Sequence, residues 1–227
     1  MLDPKITFLN HGSYGACPVP VFDDYQNWQK KLENQPVQFL TKFLWENLKK
    51  SREHLAEYIN CSSSDILLFP NTTTAINNLI NNLSLMEGDE VLMTQHEYGA
   101  LVRAWDYASK IKKFKVVQKD IDLPLNSKQN FIDQFLSGVN SKTKVIFISQ
   151  VTSQTALIFP VKEICEYAKR SGIITIIDGA HVPGHIKLDI EDLDCDYYTG
   201  ACHKWLCAPK GASFLFVREN LQKNMIP

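Results

Sequence analysis

From residue 61 onward, short apolar runs alternate with longer amphipathic stretches. Seven of the runs are short and rich in β-branched and aromatic residues, which predicts strands. These strands are expected at residues 66–69, 90–94, 114–118, 144–149, 173–177, 196–199 and 213–217. Four intervening stretches are long enough for helices. The helices are expected at residues 72–85, 100–112, 127–139 and 161–171.

This alternation predicts βαβ crossovers, and therefore an α/β fold with helices on both faces of a mostly parallel, seven-stranded sheet. A loop, instead of a long helix, joins the last two strands, so we expect that one of them can run antiparallel. The first sixty residues are predicted to be a separate, mostly helical segment, followed by the α/β domain of residues 61–227.

Within this N-terminal segment, apolar side chains recur at helical spacing with charged side chains between them. Pro36 is suited to open a helix and Asn60 to close it. The apolar stripe of this helix consists of Leu40, Phe43, Leu44, Leu48, Leu55, Tyr58 and Ile59.

Charge and composition restrict the possible partners. The 24 basic and 25 acidic residues give a net charge of −1, so nothing favours nucleic acid or an anionic membrane as a partner. No apolar run reaches the roughly 18 residues that a membrane helix needs, and the first residues lack the apolar run of a secretion signal. Six cysteines in such a chain are typical of reduced thiols, so the expected location is the cytoplasm.

Polar, reactive side chains follow five of the predicted strands. In open α/β sheets, ligands bind beyond the carboxyl ends of the strands. The sequence therefore predicts a binding site along this edge. The segments that would form it are residues 71–74, 95–100, 150–155, 178–181 and 199–204.

Three of these segments carry candidate chemistry, each with an ordinary structural alternative. The threonines after Asn71 open a helix whose N–H groups favour an anion, although N-capping explains the same residue types. Asp178 ends a strand and can pair with a ring nitrogen, a metal or a ribose hydroxyl, or serve as a turn residue. Lys204 is flanked by Trp205, which predicts partial burial, a lowered pKa and a nucleophilic amine, although most lysines lie at the surface.

Other ligand classes have little support. Cys195, Cys202, His203 and Cys207 could be considered as zinc ligands, but the C-x2-C spacing of a zinc knuckle is absent, so no metal site is predicted. The sequence also has neither a G-x-G-x-x-G motif nor a P-loop, which leaves dinucleotide and ATP binding unsupported.

Six segments, in their order and spacing, resemble the class V aminotransferase family of pyridoxal-phosphate enzymes (fold type I), with the isopenicillin N epimerase-like branch as the best match. The segments are residues 8–16, 71–77, 96–100, 152–153, 178–181 and 198–206. The resemblance covers nearly the whole chain. It implies pyridoxal 5′-phosphate as cofactor and an amino acid or peptide-like amino acid as substrate. The expected activity is that of an epimerase, an aminotransferase or a lyase.

The resemblance also implies roles for individual residues. Lys204 would bind the cofactor aldehyde as an internal aldimine and later move the proton at the substrate Cα. Asp178 would bond the pyridine nitrogen and keep it protonated. The remaining matched positions are Thr73, Thr74 and His203 at the phosphate, Tyr98 against the ring, and Ser153 and His181 near the phenolic oxygen.

The sequence departs from the family at several points. Ala156 stands where the family often has glycine, and Gln150 stands where a histidine is common. The chain ends at Pro227, so the smaller C-terminal domain, which carries the arginine expected to clamp the substrate carboxylate, is expected to be absent. Two interpretations therefore stay open: an enzyme, or a truncated or degenerate cofactor-binding domain without independent turnover. A homodimer is expected, and the candidates for its exposed or interface set include Phe39, Phe43 and Trp45.

Overall fold

The sheet has seven strands in the order β1-β7-β6-β5-β4-β2-β3, as seen in a computed structural model that describes residues 1–226. Its strands are β1 (Ile66–Phe69), β2 (Glu90–Thr94), β3 (Lys115–Lys119), β4 (Thr143–Ser149), β5 (Ile174–Gly179), β6 (Tyr197–Ala201) and β7 (Ser213–Val217). Neighbouring strands from β3 to β6 pair in parallel, whereas β7 runs antiparallel to both β6 and β1. The predicted α/β fold is confirmed, and so is the antiparallel direction within the last pair of strands.

Helices cover both faces of the sheet. They are α1 (His11–Tyr14), α2 (Val19–Asn34), α3 (Pro36–Gln38), α4 (Leu44–Ile59), α5 (Thr72–Asn82), α6 (Gly99–Lys112), α7 (Lys128–Leu136), α8 (Val161–Ser171) and α9 (Ile190–Leu193). Single 3₁₀ segments span Ser63–Asp65 and Glu219–Asn224. Among residues 1–226, no helix combines the length and the apolar character that crossing a membrane requires.

The core divides into two apolar clusters, one on each face of the sheet. Because side chains alternate along a strand, Ile146 and Ile148 of β4 join one cluster, while Val145 and Phe147 join the other. The first cluster contains buried residues of α4, α7 and α8, and the second contains those of α5 and α6. The helices therefore bury their apolar faces against opposite sides of the sheet.

The helix predicted to begin at Pro36 is present, but it is not one regular α-helix. A π-helical turn, Phe39–Phe43, joins α3 to α4, and Asn60 ends the helix in the left-handed conformation with a φ of 51°. The extra residue of a π-turn shifts the helical spacing, so the apolar positions before and after it do not share one face. Phe43 is 47% exposed, in contrast to buried Ile59. The division of the chain at residue 60 stays a prediction.

Strand register places the polar segments side by side. Ser149 of β4 pairs with Asp178 of β5, and Asp178 pairs with Thr199 of β6. The first helical turn of α5 follows β1, and Tyr98 comes shortly after β2. Because these strands share one direction, the segments that follow them meet at the same edge of the sheet.

Candidate active site

Two adjoining cavities lie at the carboxyl edge of the sheet. The inner cavity, of about 130 Å³, is formed by strand ends and by the start of α5. The outer cavity, of about 400 Å³, is covered by the N-terminal segment around α1. The residues that line both cavities are Ser13, Tyr14, Tyr98, Val151, Ser153, His181 and Lys204. A ligand in the inner cavity would therefore contact whatever occupies the outer one.

Lys204 lies between the two cavities, half-buried as its apolar neighbours predict. Its Nζ lies 3.2 Å from Nε2 of His181. Burial lowers the pKa of Lys204, although the charge of Asp178 opposes this shift. Burial, followed by the charges of Lys204 and His185, also lowers the pKa of His181, to about 4. The His181 ring is therefore neutral near pH 7.

The tautomer of His181 follows from its second contact. Nε1 of Trp205 donates a hydrogen bond to Nδ1 of His181 at 3.3 Å. A neutral imidazole that accepts at Nδ1 carries its proton on Nε2, so His181 presents an N–H to Nζ of Lys204. Only the neutral amine of Lys204 can accept that hydrogen bond. The geometry thus favours the nucleophilic form of the lysine.

The loop that carries Lys204 is held tightly between β6 and β7. The backbone N–H of His203 donates to the Ala212 carbonyl at 3.1 Å. Gly15 of the N-terminal segment packs against this loop with a φ of 68°, and a Cβ there would lie 1.9 Å from the carbonyl oxygen of His203. Nζ of Lys210 also donates to the Gly15 carbonyl at 3.1 Å. Only glycine permits this close approach, which seats the N-terminal segment over the site.

Asp178 is a buried carboxyl that lines the inner cavity, with 3% of its surface exposed. Its Oδ1 accepts the backbone N–H of Ala180 at 2.9 Å. Burial raises the pKa of Asp178, while the Ala180 hydrogen bond and the charge of Lys204 lower it in part. A carboxyl in this position suits a cationic N–H partner, which would offset the cost of its burial.

The start of α5 forms an anion-binding end of the inner cavity. The side chain of Asn71 accepts the N–H of Thr74 at 2.8 Å and its hydroxyl at 3.0 Å. Thr72 and Thr73 line the cavity, and their N–H groups belong to the first helical turn, which has no intrahelical acceptors. His203 lines it too, and its Nδ1 lies 2.8 Å from the Ala212 carbonyl, which leaves Nε2 for a ligand.

Most of the residues singled out from the sequence come together here. The cavity-lining ones are Thr73, Tyr98, Ser153, Asp178, His181, His203 and Lys204. Thr74 is adjacent, but it is exposed and its hydroxyl donates to Asn71, whereas the neighbouring Thr72 is buried at the cavity. N-capping thus occupies Thr74, and its phosphate role stays a prediction.

Two features were missed by reasoning from the sequence. Glu97 belongs to the segment of residues 96–100, but no role was predicted for it, although a carboxylate three residues after a buried strand is a signal that could have identified it. Ala156 lines the outer cavity with a φ of 53°, a conformation that favours glycine. This backbone explains why glycine suits that position.

The residues that the structure describes provide no support for the alternative of a metal centre. Within residues 1–226, no three histidine, cysteine, aspartate or glutamate side chains are grouped so that they could hold a metal ion. The cysteines considered as zinc ligands are free thiols, and burial raises the pKa of Cys202 to about 12.

Comparison with known proteins gives a family and several relatives. The family model for Aminotransferase class-V matches residues 15–227. An isopenicillin N epimerase of Amycolatopsis lactamdurans is 34% identical, covering 96% of this chain and 56% of that protein. A probable chloroplastic L-cysteine desulfhydrase of Arabidopsis thaliana is 27% identical, covering 96% of this chain and 49% of that protein. The chain spans about half the length of the curated relatives it matches.

Solved structures share the fold. A mutant of C-DES with glycine covalently linked to its PLP cofactor matches with a TM-score of 0.88 at 22% identity, covering 99% of this chain and 60% of that chain. A cysteine desulfurase from Thermococcus onnurineus matches with a TM-score of 0.85 at 19% identity, covering 98% of this chain and 56% of that chain. At these identities, the likeness establishes the architecture.

Proposed function

The chain belongs to the class-V aminotransferase family, and from this premise we propose that it binds pyridoxal 5′-phosphate covalently through Lys204 and acts at the Cα of an amino acid or peptide-like amino acid. The fold is that of pyridoxal-phosphate-dependent enzymes. One observation carries the assignment of the site. A lysine with a lowered pKa shares one cavity with a buried carboxyl and with the free N–H groups of a helix N-terminus.

The residues of the inner cavity fit three different groups of this cofactor. The first-turn N–H groups of Thr72 and Thr73 suit its phosphate, with His203 as a further donor. Asp178 suits the protonated ring nitrogen, because a buried carboxylate gains most from a cationic donor. Lys204 suits the aldehyde, since a lysine amine with a lowered pKa is a nucleophile for a carbonyl carbon.

When bound, the cofactor supplies an electron sink for the negative charge that develops at the substrate Cα. Asp178 would keep a proton on the ring nitrogen, and Tyr98, which lines both cavities, would cover the ring. The amine of Lys204 removes the Cα proton and returns it. Neutral His181 orients this amine without adding a second positive charge beside it.

The same proton transfer begins epimerisation, transamination and β-elimination, so the reaction subtype depends on what the outer cavity holds. That cavity is lined by polar groups, including Asn10, Ser13 and His185, which suits a polar substrate side chain. We assign the chain to the cytoplasm and to a homodimer as parts of this proposal. An active enzyme of this kind is the first candidate.

The second candidate is a cofactor-binding domain without independent turnover. Two observations favour it: the chain spans about half the length of its curated relatives, and within residues 1–226 no arginine lines either cavity. A substrate α-carboxylate would then lack a bidentate cationic partner, and the Cα–H bond would be held loosely.

The test is the visible absorbance of the purified chain after incubation with pyridoxal phosphate. We expect a visible band in the parent protein, and we expect borohydride reduction followed by peptide mass spectrometry to locate the cofactor on Lys204. Lys204→Ala should abolish both signals. Lys112→Ala is the matched control, because burial also lowers the pKa of Lys112, yet its Nζ donates to backbone carbonyls at the end of α5, away from the cavities.

A parent protein without a visible band would contradict the proposed function, and a band retained in Lys204→Ala would contradict the assigned lysine. Exchange of the Cα proton in D₂O, measured by NMR over a panel of amino acids, then separates the two candidates. Exchange by the loaded chain supports an enzyme. Cofactor binding without exchange supports a binding domain that needs further residues for turnover.

A further inference from the structure

A second buried carboxyl lies beside the site, and the roles proposed above do not use it. Glu97 follows β2 and is 2% exposed. Its Oε1 accepts a hydrogen bond from Oγ1 of Thr94 at 2.6 Å. Its Oε2 accepts hydrogen bonds from the N–H and the Oγ of Ser149, at 2.8 and 2.5 Å. Three donors therefore hold the carboxyl between the ends of β2 and β4.

This position connects Glu97 to two residues of the site. Tyr98 is the next residue in the chain, so the anchored Glu97 fixes the backbone from which Tyr98 enters both cavities. Ser149 pairs in register with Asp178 on β5 and lines the inner cavity. Glu97 is thus adjacent in sequence to Tyr98. Across the sheet, β4 with Ser149 at its end lies between the strand that precedes Glu97 and the strand that carries Asp178.

We propose that Glu97 is a positioning residue of the cofactor site: its carboxyl fixes Tyr98 and Ser149, and its charge acts on the neighbouring Asp178. This role rests on the cofactor binding proposed above, because Tyr98 and Asp178 serve the site only through that ligand. Glu97 touches neither cavity and acts through its neighbours.

The electrostatics of the surrounding strands support this role. Thr94 of β2 and Ser149 of β4 present neutral donors to Glu97, and Tyr98 beside it is a phenol. The charge that acts on Glu97 is that of Asp178 on β5, which is itself influenced by Lys204. Burial raises the pKa of Glu97 to about 7; the hydrogen bonds from Ser149 and Thr94 oppose this, and the charge of Asp178 adds to it.

Glu97 therefore keeps its proton until about neutral pH, and the charge of Asp178 contributes to this. Above that pH, a second negative charge appears beside Asp178. A negative charge raises the proton affinity of nearby cationic groups, so the lysine-bound cofactor should hold its proton to higher pH when Glu97 is ionised. Replacing Glu97 with glutamine removes this charge while keeping a side chain of nearly the same shape.

The first experiment needs no cofactor. The side-chain carboxyls of the cofactor-free chain are labelled with ¹³C and titrated by NMR. We expect one glutamate signal to titrate near pH 7, to disappear in Glu97→Gln and to persist in Glu90→Gln. Glu90 is the matched control, because it is also buried and lies at the opposite end of β2, where it accepts a hydrogen bond from Asn140 at 2.7 Å. In Asp178→Asn, the Glu97 signal should titrate at lower pH.

The second experiment follows the pH midpoint of the visible band in the loaded protein. We expect the midpoint of Glu97→Gln to fall by roughly half a pH unit or more, whereas that of Glu90→Gln stays at the parent value. Equal midpoints in all three proteins would overturn the proposal, and so would an equal shift in both variants. A Glu97 signal that Asp178→Asn does not move would also overturn it.

The two experiments fail separately. If no variant and no parent protein develops a visible band, the proposed function fails, while the NMR titration still decides whether Glu97 and Asp178 are coupled. If the band is present but Glu97 titrates independently of Asp178, the cofactor assignment stands and the role of Glu97 is rejected. The Asp178→Asn variant keeps Glu97 itself unchanged. Its titration therefore decides whether the two carboxyls are coupled even if Glu97→Gln does not fold.

Discussion

Two regions of this chain depart from the usual distribution of polar and apolar side chains, and they do so in opposite directions. At the carboxyl edge of the sheet, polar side chains are buried. They are Thr94, Glu97, Ser149, Thr152, Asp178 and Thr199. In the N-terminal helices, large apolar side chains are exposed instead. They include Val37, Leu40, Phe43 and Trp45, the last with 70% of its surface exposed.

The two departures carry different costs and indicate different partners. A buried polar group destabilises the fold unless it finds hydrogen-bond partners, so a buried polar edge suits a small ligand that supplies such partners. An exposed apolar patch is unfavourable for a different reason, because water solvates apolar surface poorly. Such a patch marks a surface that binds another protein. Helix α2 buries none of its residues in the chain as described, in contrast to α5, where Ile76 and Leu79 are fully buried.

The largest effect should follow from a change at the polar edge. Asp178→Asn keeps the shape of the side chain but removes the charge that, in the proposed function, holds a proton on the cofactor ring. We expect exchange of the substrate Cα proton in the loaded protein to fall by on the order of 10³-fold. Exchange is measured by NMR in D₂O, together with the dissociation constant of the cofactor.

Asp196→Asn is the control for this change. Asp196 lies at the opposite edge of the sheet, where its carboxyl accepts the N–H of Thr175 at 2.8 Å. We expect this variant to exchange at the parent rate. Parent-like exchange in Asp178→Asn, or an equal loss in both variants, would argue that Asp178 supports the fold and not the chemistry.

The N-terminal region should respond through assembly. Replacing Phe43 and Trp45 by serine removes apolar surface that we assign to a homodimer. We expect self-association to weaken by about 100-fold, because central aromatic residues dominate protein interfaces. Sedimentation equilibrium measures the change. Serine at Tyr107 and Ile111 of α6, which are also exposed, should leave the association unchanged, and an equal effect of both pairs would contradict the assigned surface.

Much of this comparison was accessible from the sequence. Asp178 and Lys204 could be predicted as neighbours because both lie at the carboxyl ends of parallel strands, which share one edge whatever the details of packing. The partial burial of Lys204 followed from its apolar neighbours. Local periodicity and strand order are encoded within short segments, so these features need no knowledge of distant contacts.

Other features depend on contacts between distant segments and could not be predicted. Glu97 receives two hydrogen bonds from Ser149, which lies 52 residues away. The hydroxyl of Thr74 donates a hydrogen bond to the side chain of Asn71. Residue types alone do not show whether such a threonine takes part in helix capping or binds a ligand. The π-turn after α3 shifts the apolar stripe, so the 49% exposure of Leu40, which was placed on that stripe, was not visible from helical spacing.

A smaller effect at the polar edge should be seen in stability. The pKa of Glu97 is raised to about 7, above its ordinary value of 4.5, so the folded state binds this proton more tightly than the unfolded state does. The contribution of Glu97 to stability is therefore greatest at low pH and falls as the pH rises towards 7. Between pH 5 and pH 7, we expect the parent to lose on the order of 2 kcal/mol more than Glu97→Gln.

Urea unfolding at several pH values checks this expectation. Glu90→Gln should keep the pH dependence of the parent protein, since the carboxyl responsible is still present. A flat profile in the parent would show that the polar edge accommodates an ionised Glu97 without cost. In that case, the polar edge would differ from the N-terminal helices through the ligand that it binds, and not through an energetic cost of burying its carboxyls.

The smallest effect concerns the backbone of the polar edge. Ala156 adopts a φ of 53° where its N–H donates to the Thr152 carbonyl at 3.1 Å. A left-handed conformation costs an L-residue about 1 kcal/mol or more, whereas glycine adopts it freely but loses more entropy on folding. Ala156→Gly should therefore raise the free energy of unfolding by about 0.5 kcal/mol. Ala104→Gly, within α6, should lower it by about 1 kcal/mol. Urea unfolding distinguishes the two signs, and a loss of stability in Ala156→Gly would mean that the loop does not hold this conformation.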